Sequence, residues 1–299
     1  MRRHTSEREP AGPLAVLTIF VRAGTETYAA AEARLDALYA RQLPGIRRDV
    51  LVVDNQLPKG VAETAPGREV IGGDNAAWEF SAVDVAVAHL GASIWKYDLV
   101  NIVTSAFEQL YVAYLERVRP DVLEAIAAAP VCLGHIDCYN DPVWVGPYRS
   151  QHWLRSCFLV LPPTELKVLG TFVSVRGRRP WFSGRADDPF GPDSPIDATY
   201  QKYVKDWLLG EDIGQGVVWH RKLTLDDAGL DMFEQKARTI LNEHLLGVRL
   251  RAAGCRLIDV TWLSAELARG RVPDFDCPWW QQLAGRDRDA IVVAAARSA

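Results

Sequence analysis

The run Leu14-Ala15-Val16-Leu17-Thr18-Ile19-Phe20-Val21 is almost continuously apolar and rich in branched side chains. So short a segment, apolar on both of its alternating faces, reads as a strand covered above and below, as in parallel sheets packed between helices. The next hundred residues repeat the signal. Asp49-Val50-Leu51-Val52-Val53-Asp54-Asn55 is a second such run, Glu69-Val70-Ile71 a third, and Tyr97 to Val103 a fourth. Between them, Thr27 to Gln42 carries Tyr28, Ala31, Leu35, Leu38 and Tyr39 at helical spacing before Pro44-Gly45 ends it, and Ala76 to Leu90 forms a second helix. Strands alternating with helices predict an α/β domain with a mostly parallel, Rossmann-like sheet and helices on both faces. Its ligands are expected beyond the carboxyl ends of the strands.

The polar groups at those ends are Gly24 and Thr25, then Asp54 and Asn55, Asp74 and Asn75, and Thr104 and Ser105. Loop ends of parallel sheets are polar in general, but as a set these outline one crevice. Further on, helices are expected at Phe107 to Arg117 and Asp121 to Ala129, and a strand at Val131 to Asp137 runs into the turn-prone Asn140-Asp141-Pro142. A strand at Ser156 to Leu161 and a short helix at Pro163 to Leu169 follow. Arg176 to Pro195 is rich in Gly, Pro, Arg and Asp without periodicity and reads as a long mobile loop. Thr199 to Leu209 reads as helix, Val217 to His220 as extended, and Asp231 opens the last long helical region. The tail carries Trp279-Trp280 and an alanine-rich helix from Arg288.

A chain of 299 residues with 48% hydrophobic content buries a large core without staples. A net charge of −4 removes bulk electrostatics as a reason to bind nucleic acid. Cys132, Cys138, Cys157, Cys255 and Cys277 form no CxxC pair and leave one over, which points to reduced thiols in the cytoplasm rather than a disulfide framework or zinc site. Met1 to Pro13 has no apolar core and is not a signal peptide. No apolar run approaches the roughly 20 residues of a membrane span, and peripheral membrane association stays open. No Gly-x-Gly-x-x-Gly follows the first strand and no Gly-x-Ser-x-Gly is present, which disfavours a dinucleotide oxidoreductase and a serine hydrolase.

The chemical centre is placed in Asn242-Glu243-His244-Leu245-Leu246-Gly247-Val248-Arg249-Leu250-Arg251-Ala252-Ala253-Gly254. Leu245, Leu246 and Val248 supply a buried face, Arg249 and Arg251 crowd the C-terminal turn, and Gly254 stands where a left-handed cap is wanted. The extended run Cys255 to Val260 follows. This segment resembles the acidic pair, helix ending in Arg-x-x-x-x-Gly, and strand of inverting glycosyltransferases with the GT-A fold, the family 2 type. The resemblance puts the general base on Glu243, with Asn242 replacing the first acidic residue. It extends in order to Val53-Asp54, to Gly73-Asp74-Asn75-Ala76-Ala77-Trp78-Glu79, and to Ser156 to Leu161 with Leu166 to Phe172, about residues 14 to 260 in all. Asp74-Asn75-x-x-Trp78-Glu79-Phe80 also resembles a signature of bacterial transferases that build rhamnose-containing and other surface polysaccharides.

The resemblance implies that residues 14–130 form a nucleotide-sugar-binding half and 131–262 an acceptor-binding, catalytic half. A disordered arm at 1–13 and a helical extension at 263–299 flank them. The nucleotide-sugar donor is then met by Arg22, Gly24, Asp54, Asp74, Asn75, Glu79, Thr104 and Ser105. The acceptor, glycan or lipid-linked, or the diphosphate is met by His220, Trp219, Trp181 and Asp137. Each role has a plainer counterpart: Asp54 caps a turn, Glu79 favours a helix dipole, and His220 is an ordinary structural histidine. The family's metal-binding Asp-x-Asp is expected after the fourth strand, where this chain has Thr104-Ser105-Ala106, which offers no carboxylate to Mg or Mn. Leaving-group charge falls instead to the helix after Ser105, an arginine or His220. A substitute cluster of His135, Asp137, Asp141 and His220 is the alternative. Rival functions are a nucleotide- or glycan-binding relative without turnover and a sugar nucleotidyltransferase, the latter poorly served by the glycine-poor Arg22-Ala23-Gly24-Thr25.

Overall fold

The computed structural model describes residues 12–23, 28–108, 112–210 and 222–284. Its strands are β1 (Ala15–Arg22), β2 (Arg47–Asp54), β3 (Gly60–Ala65), β4 (Arg68–Gly72), β5 (Leu99–Thr104), β6 (Val131–Gly134), β7 (Ile136–Val145), β8 (Tyr148–Leu154), β9 (Phe158–Leu161) and β10 (Arg256–Asp259). The helices are α1 (Ala31–Gln42), α2 (Trp78–Leu90), α3 (Pro120–Ile126), α4 (Pro163–Leu169), α5 (Ala198–Leu209), α6 (Leu230–Ala252), α7 (Val260–Ala268) and α8 (Trp279–Gln282). Eight strands make one sheet in the order β10-β6-β9-β5-β1-β2-β4-β3, and β7 and β8 pair as a separate hairpin.

The sheet is mostly parallel, as the alternation of elements predicts. β1 pairs in parallel with both β2 and β5, β2 with β4, and β6 with β10. β9 runs antiparallel between β5 and β6, and β3 antiparallel at the edge beside β4. The chain leaves β1 toward β2 and β4 on one side and returns to β5 on the other. The carboxyl ends of β1 and β5 therefore flank the switch in strand order, where open α/β sheets bind ligands.

Alternation along β1 decides how the layers form. Leu17, Ile19 and Val21 enter one core with Phe80, Val83 and Ala86 of α2 and Leu246 and Leu250 of α6. Val16 and Phe20 enter the opposite core with Leu35 and Leu38 of α1, Leu123 of α3 and Leu263 of α7. A strand apolar at almost every position needs both covers, because successive side chains point to opposite faces. A third core joins the β7–β8 hairpin and α5 to Phe233, Ala237, Leu241 and Leu245, a four-residue stripe on α6. This helix thus belongs to two cores, and it ends on Gly254 at φ +92°, with the Cys255 amide bonded to the Leu250 carbonyl at 3.0 Å.

The structure departs from the sequence expectations in four places. Of Phe107 to Arg117, expected as one helix, the described residues are a turn at Phe107 and a 3-10 helix over Val112–Arg117. Asn140-Asp141-Pro142 is no turn but the irregularity in β7, absorbed by a register shift between Cys138 and Val143; the hairpin turns later, at Gly146 with φ +55°. The exposed edge strand β3 was not expected, because its buried face is absent. Arg176 to Pro195 lacks regular structure but is held in place: Phe182 and Phe190 are buried and bridge each other, and Arg178 pairs with Glu234 at 2.6 Å and Asp231 at 2.9 Å.

Candidate active site

At the switch point the crevice is stitched by backbone hydrogen bonds. The Ser105 amide donates to the Val21 carbonyl at 2.8 Å, and the Thr104 amide to the Cys157 carbonyl at 3.1 Å. Ser156 therefore lies at this edge, just before β9.

Glu243, Leu246 and Leu250 recur at i, i+3 and i+7 and so share one face of α6. Leu246 and Leu250 pack on the sheet. Glu243 is the same face one turn earlier, where the sheet has ended. Its Oε1 accepts from the Ser156 amide at 2.7 Å and from Ser156 Oγ at 2.8 Å. Its Oε2 takes no hydrogen bond from a described residue. Burial pushes the Glu243 carboxyl above the ordinary range; the two Ser156 bonds and Arg155 pull it down, and Asp137 pushes it up. Arg155 in turn pairs with Asp137 at 2.7 Å.

A second carboxylate lies within electrostatic reach of Glu243. Glu79, in the first turn of α2, is pushed up to about 7, first by burial and further by the charge of Glu243, against its own backbone amide and Lys236. The Lys236 ammonium sits 4.5 Å from the centroid of Trp78, a residue held at φ +52°. Sequence reasoning put Glu79 and Glu243 at separate tasks; the fold brings them into one electrostatic cluster.

Neighbours of Glu243 on α6 are structural. Asn242 Oδ1 accepts from the Ser174 and Val175 amides at 2.7 and 2.8 Å, and its Nδ2 donates to the Val175 carbonyl at 3.3 Å. The residue standing for the first acidic one is thus an anchor for the segment after α4. His244 meets the hydroxyls of Tyr139 and Tyr200 at Nδ1, and burial lowers its pKa to about 3, so it stays neutral.

The remaining candidates are dispersed. Asp54 pairs with Arg22 at 2.8 Å and accepts from the Gln56 amide at 2.9 Å, while Arg22 also reaches Glu32 at 3.3 Å; Asp54 is thus engaged as an ion pair and turn cap. Asp74 caps the Ala76 amide at 3.0 Å and lies 3.5 Å from Lys59. Asn75 is exposed at φ +52°. The turn before it requires glycine: a Cβ on Gly72 would lie 1.7 Å from the Pro58 carbonyl oxygen, and one on Gly73 2.0 Å from Asn55 Oδ1. Trp181 packs, partly buried, on the third core. Gly24, Trp219 and His220 lie outside the described residues.

Ser156, Arg155, Lys236 and His244 were not singled out in the sequence. The available signal was position: Arg155-Ser156 immediately precedes a strand whose start lies at the crevice edge. Among the described residues no group of three or more His, Cys, Asp or Glu side chains could hold a metal. Thr104 and Ser105 bring no carboxylate, and Asp54, Asp74 and Asp137 are each taken up by a basic partner. The described donor set therefore does not fit Mg or Mn.

No protein-family model matches the chain, and no curated protein matches it. Among solved structures, a mannosyltransferase from Pyrobaculum calidifontis in complex with GDP-mannose and Mn2+ aligns over 94% of this chain and 86% of its own, at 15% identity and a TM-score of 0.36. A likeness at that score decides nothing about function, which rests on the residues themselves.

Proposed function

We propose that the chain is a nucleotide-sugar-dependent glycosyltransferase acting with inversion in surface-polysaccharide biosynthesis, with Glu243 as general base and a glycan or lipid-linked acceptor. The observation that supports it is the Glu243 carboxylate, fixed through Oε1 by both Ser156 donors at the carboxyl edge of the sheet, with Oε2 bonded by no described residue. An acceptor hydroxyl has a pKa far above 7, so a base must take its proton as the oxygen attacks the anomeric carbon. The new glycosidic bond forms as the bond from that carbon to the diphosphate breaks, and the nucleoside diphosphate leaves with the electron pair. Burial raises the pKa of the carboxylate and so strengthens it as a base. No step is routed through a metal. Among the described residues no helix is long and apolar enough to cross a membrane.

The test is a thermal-shift titration of the purified protein with nucleoside diphosphates and nucleotide sugars, with Mg, Mn or EDTA. A ligand bound only by the folded state stabilises it by about 2.7 kcal/mol at one hundred times Kd. A shift with one nucleotide family, followed by transfer whose product has the inverted anomeric configuration, supports the proposal. A shift without turnover favours a binding relative, and no shift at saturation removes the donor crevice.

A further inference from the structure

We infer that the cleft between the β7–β8 hairpin and α8 is a second binding site, built for a sugar ring that carries a carboxylate or phosphate. Its volume of 330 Å3 falls in the lower range of small-ligand clefts, about 300–1,000 Å3. The charge comes from Arg251, in the last turn of α6 and partly buried. Its Nη1 contacts His152 Nε2 at 2.6 Å and its Nη2 donates to Ser150 Oγ at 3.1 Å. Both partners are uncharged: burial, then the neighbouring guanidinium, lowers His152 to about 3. Arg251 makes no ion pair with a described carboxylate, and neither does Arg149, which lines the same cleft. A guanidinium drawn partly out of water without a counter-ion is costly, and the helix C-terminus offsets only part of that. The partly buried Arg251, with the exposed Arg149 beside it on the same cleft, calls for an anion.

The walls specify what bears the anion. Trp279 stacks on His152 at 5.0 Å, and Trp280 stands perpendicular to Trp279, at 89° and 6.0 Å, with 58% of its surface exposed. Two indoles at a right angle form an apolar corner for the carbon–hydrogen face of a ring, with Gln151 beside it for hydroxyls. The helix that carries both indoles is held in place by Gln282. Gln282 accepts from the Asp259 amide at 2.7 Å and donates to the carbonyls of Leu257 at 3.2 Å and Cys277 at 2.9 Å, tying α8 to β10. Arg251 lies eight residues beyond Glu243 on α6, about 12 Å along the axis. Use of the cleft to anchor an anionic acceptor glycan rests on the proposed function; its affinity for the charged sugar does not.

The test is calorimetric titration of the full chain with methyl glucuronide, glucose 1-phosphate, methyl glucoside and inorganic phosphate, each with and without saturating nucleoside diphosphate. Both charged sugars are expected to bind in either condition, with the neutral sugar and bare phosphate at least about tenfold weaker. Trp280→Ala and Arg149→Gln, at exposed positions, are expected to weaken the charged sugars about tenfold without changing the melting temperature or the nucleotide response. Failure of both charged sugars to bind, phosphate binding as tightly as they do, displacement by nucleotide, or unchanged affinity in both variants would each overturn the site. A nucleotide panel without effect would sink the transferase proposal and leave this one standing.

Discussion

In the proposed role of general base Glu243 would meet two opposed demands, since a base must be ionised to accept a proton while burial favours the neutral acid. Ser156 opposes burial by donating twice to one oxygen. We predict that Glu243→Gln keeps the melting temperature and loses transfer by about 100-fold or more, measured as product formed at saturating donor. Ser156→Ala removes the Oγ donor that lowers the Glu243 pKa, so the acidic limb of kcat/KM against pH moves to higher pH. An unmoved limb in that variant would detach Ser156 from the base. Stability carries a second signature. Glu79 titrates at about 7 in the fold against 4.5 ordinarily, so ionising it costs the folded state stability that is lost as pH rises from 4.5 to about 7. The advantage of Glu79→Gln over wild type in urea melts is therefore larger at pH 8 than at pH 4.5. Glu243 was legible as a lone carboxylate on an amphipathic helix, but Glu79 was not legible as its neighbour, because 164 residues separate them and only the packing of α2 and α6 on one sheet face joins them.

At the scale of elements, α6 does three things with three faces, and its sequence announces only one. The apolar stripe is visible as spacing; the tie through Asn242 is not, because an asparagine inside a helix reads as a poor helix former rather than as an acceptor for two distant amides. Asn242→Ala leaves the Ser174 and Val175 amides without their acceptor in a buried site. We predict a loss of about 2–4 kcal/mol in urea unfolding, from two orphaned donors at 1–3 kcal/mol each with partial rescue by water. A loss below about 0.5 kcal/mol would mean the segment finds other partners. The hairpin was missed for a related reason. Asn-Asp-Pro in the middle of β7 carries turn chemistry, and Tyr148-Arg149-Ser150-Gln151-His152-Trp153 in β8 hides its alternation under polar side chains. Gly247 marks where the hairpin comes close, since a Cβ there would lie 3.2 Å from Leu257 Cδ1 and 3.7 Å from the Trp153 Cα.

For the whole molecule, the alternation of apolar runs and helices made the mostly parallel sheet legible, while the place of β9 was not. Nothing in Phe158-Leu159-Val160-Leu161 tells a parallel central strand from an antiparallel one, since both are buried on two faces. That strand decides how far the two halves are independent. The expected boundary at residue 130 falls between α3 and β6, but Val100 to Val103 of β5 pair with Phe158 to Leu161 of β9, and β9 pairs with β6 through Leu133 and Val160. Both sheet cores draw residues from either side of the boundary, and α6 joins one of them to the third core. Opening either half would expose apolar strand faces of the other, so neither has a stable state alone. We predict one urea transition for the full chain, with far-ultraviolet circular dichroism and tryptophan fluorescence giving the same midpoint. Ten tryptophans distributed from Trp78 to Trp280 make the fluorescence report on both halves, so a half that unfolded first would separate the two curves. Coincident curves would mean that a substitution weakening the β5–β9 seam lowers the stability of the switch-point crevice and of the Glu243 helix together.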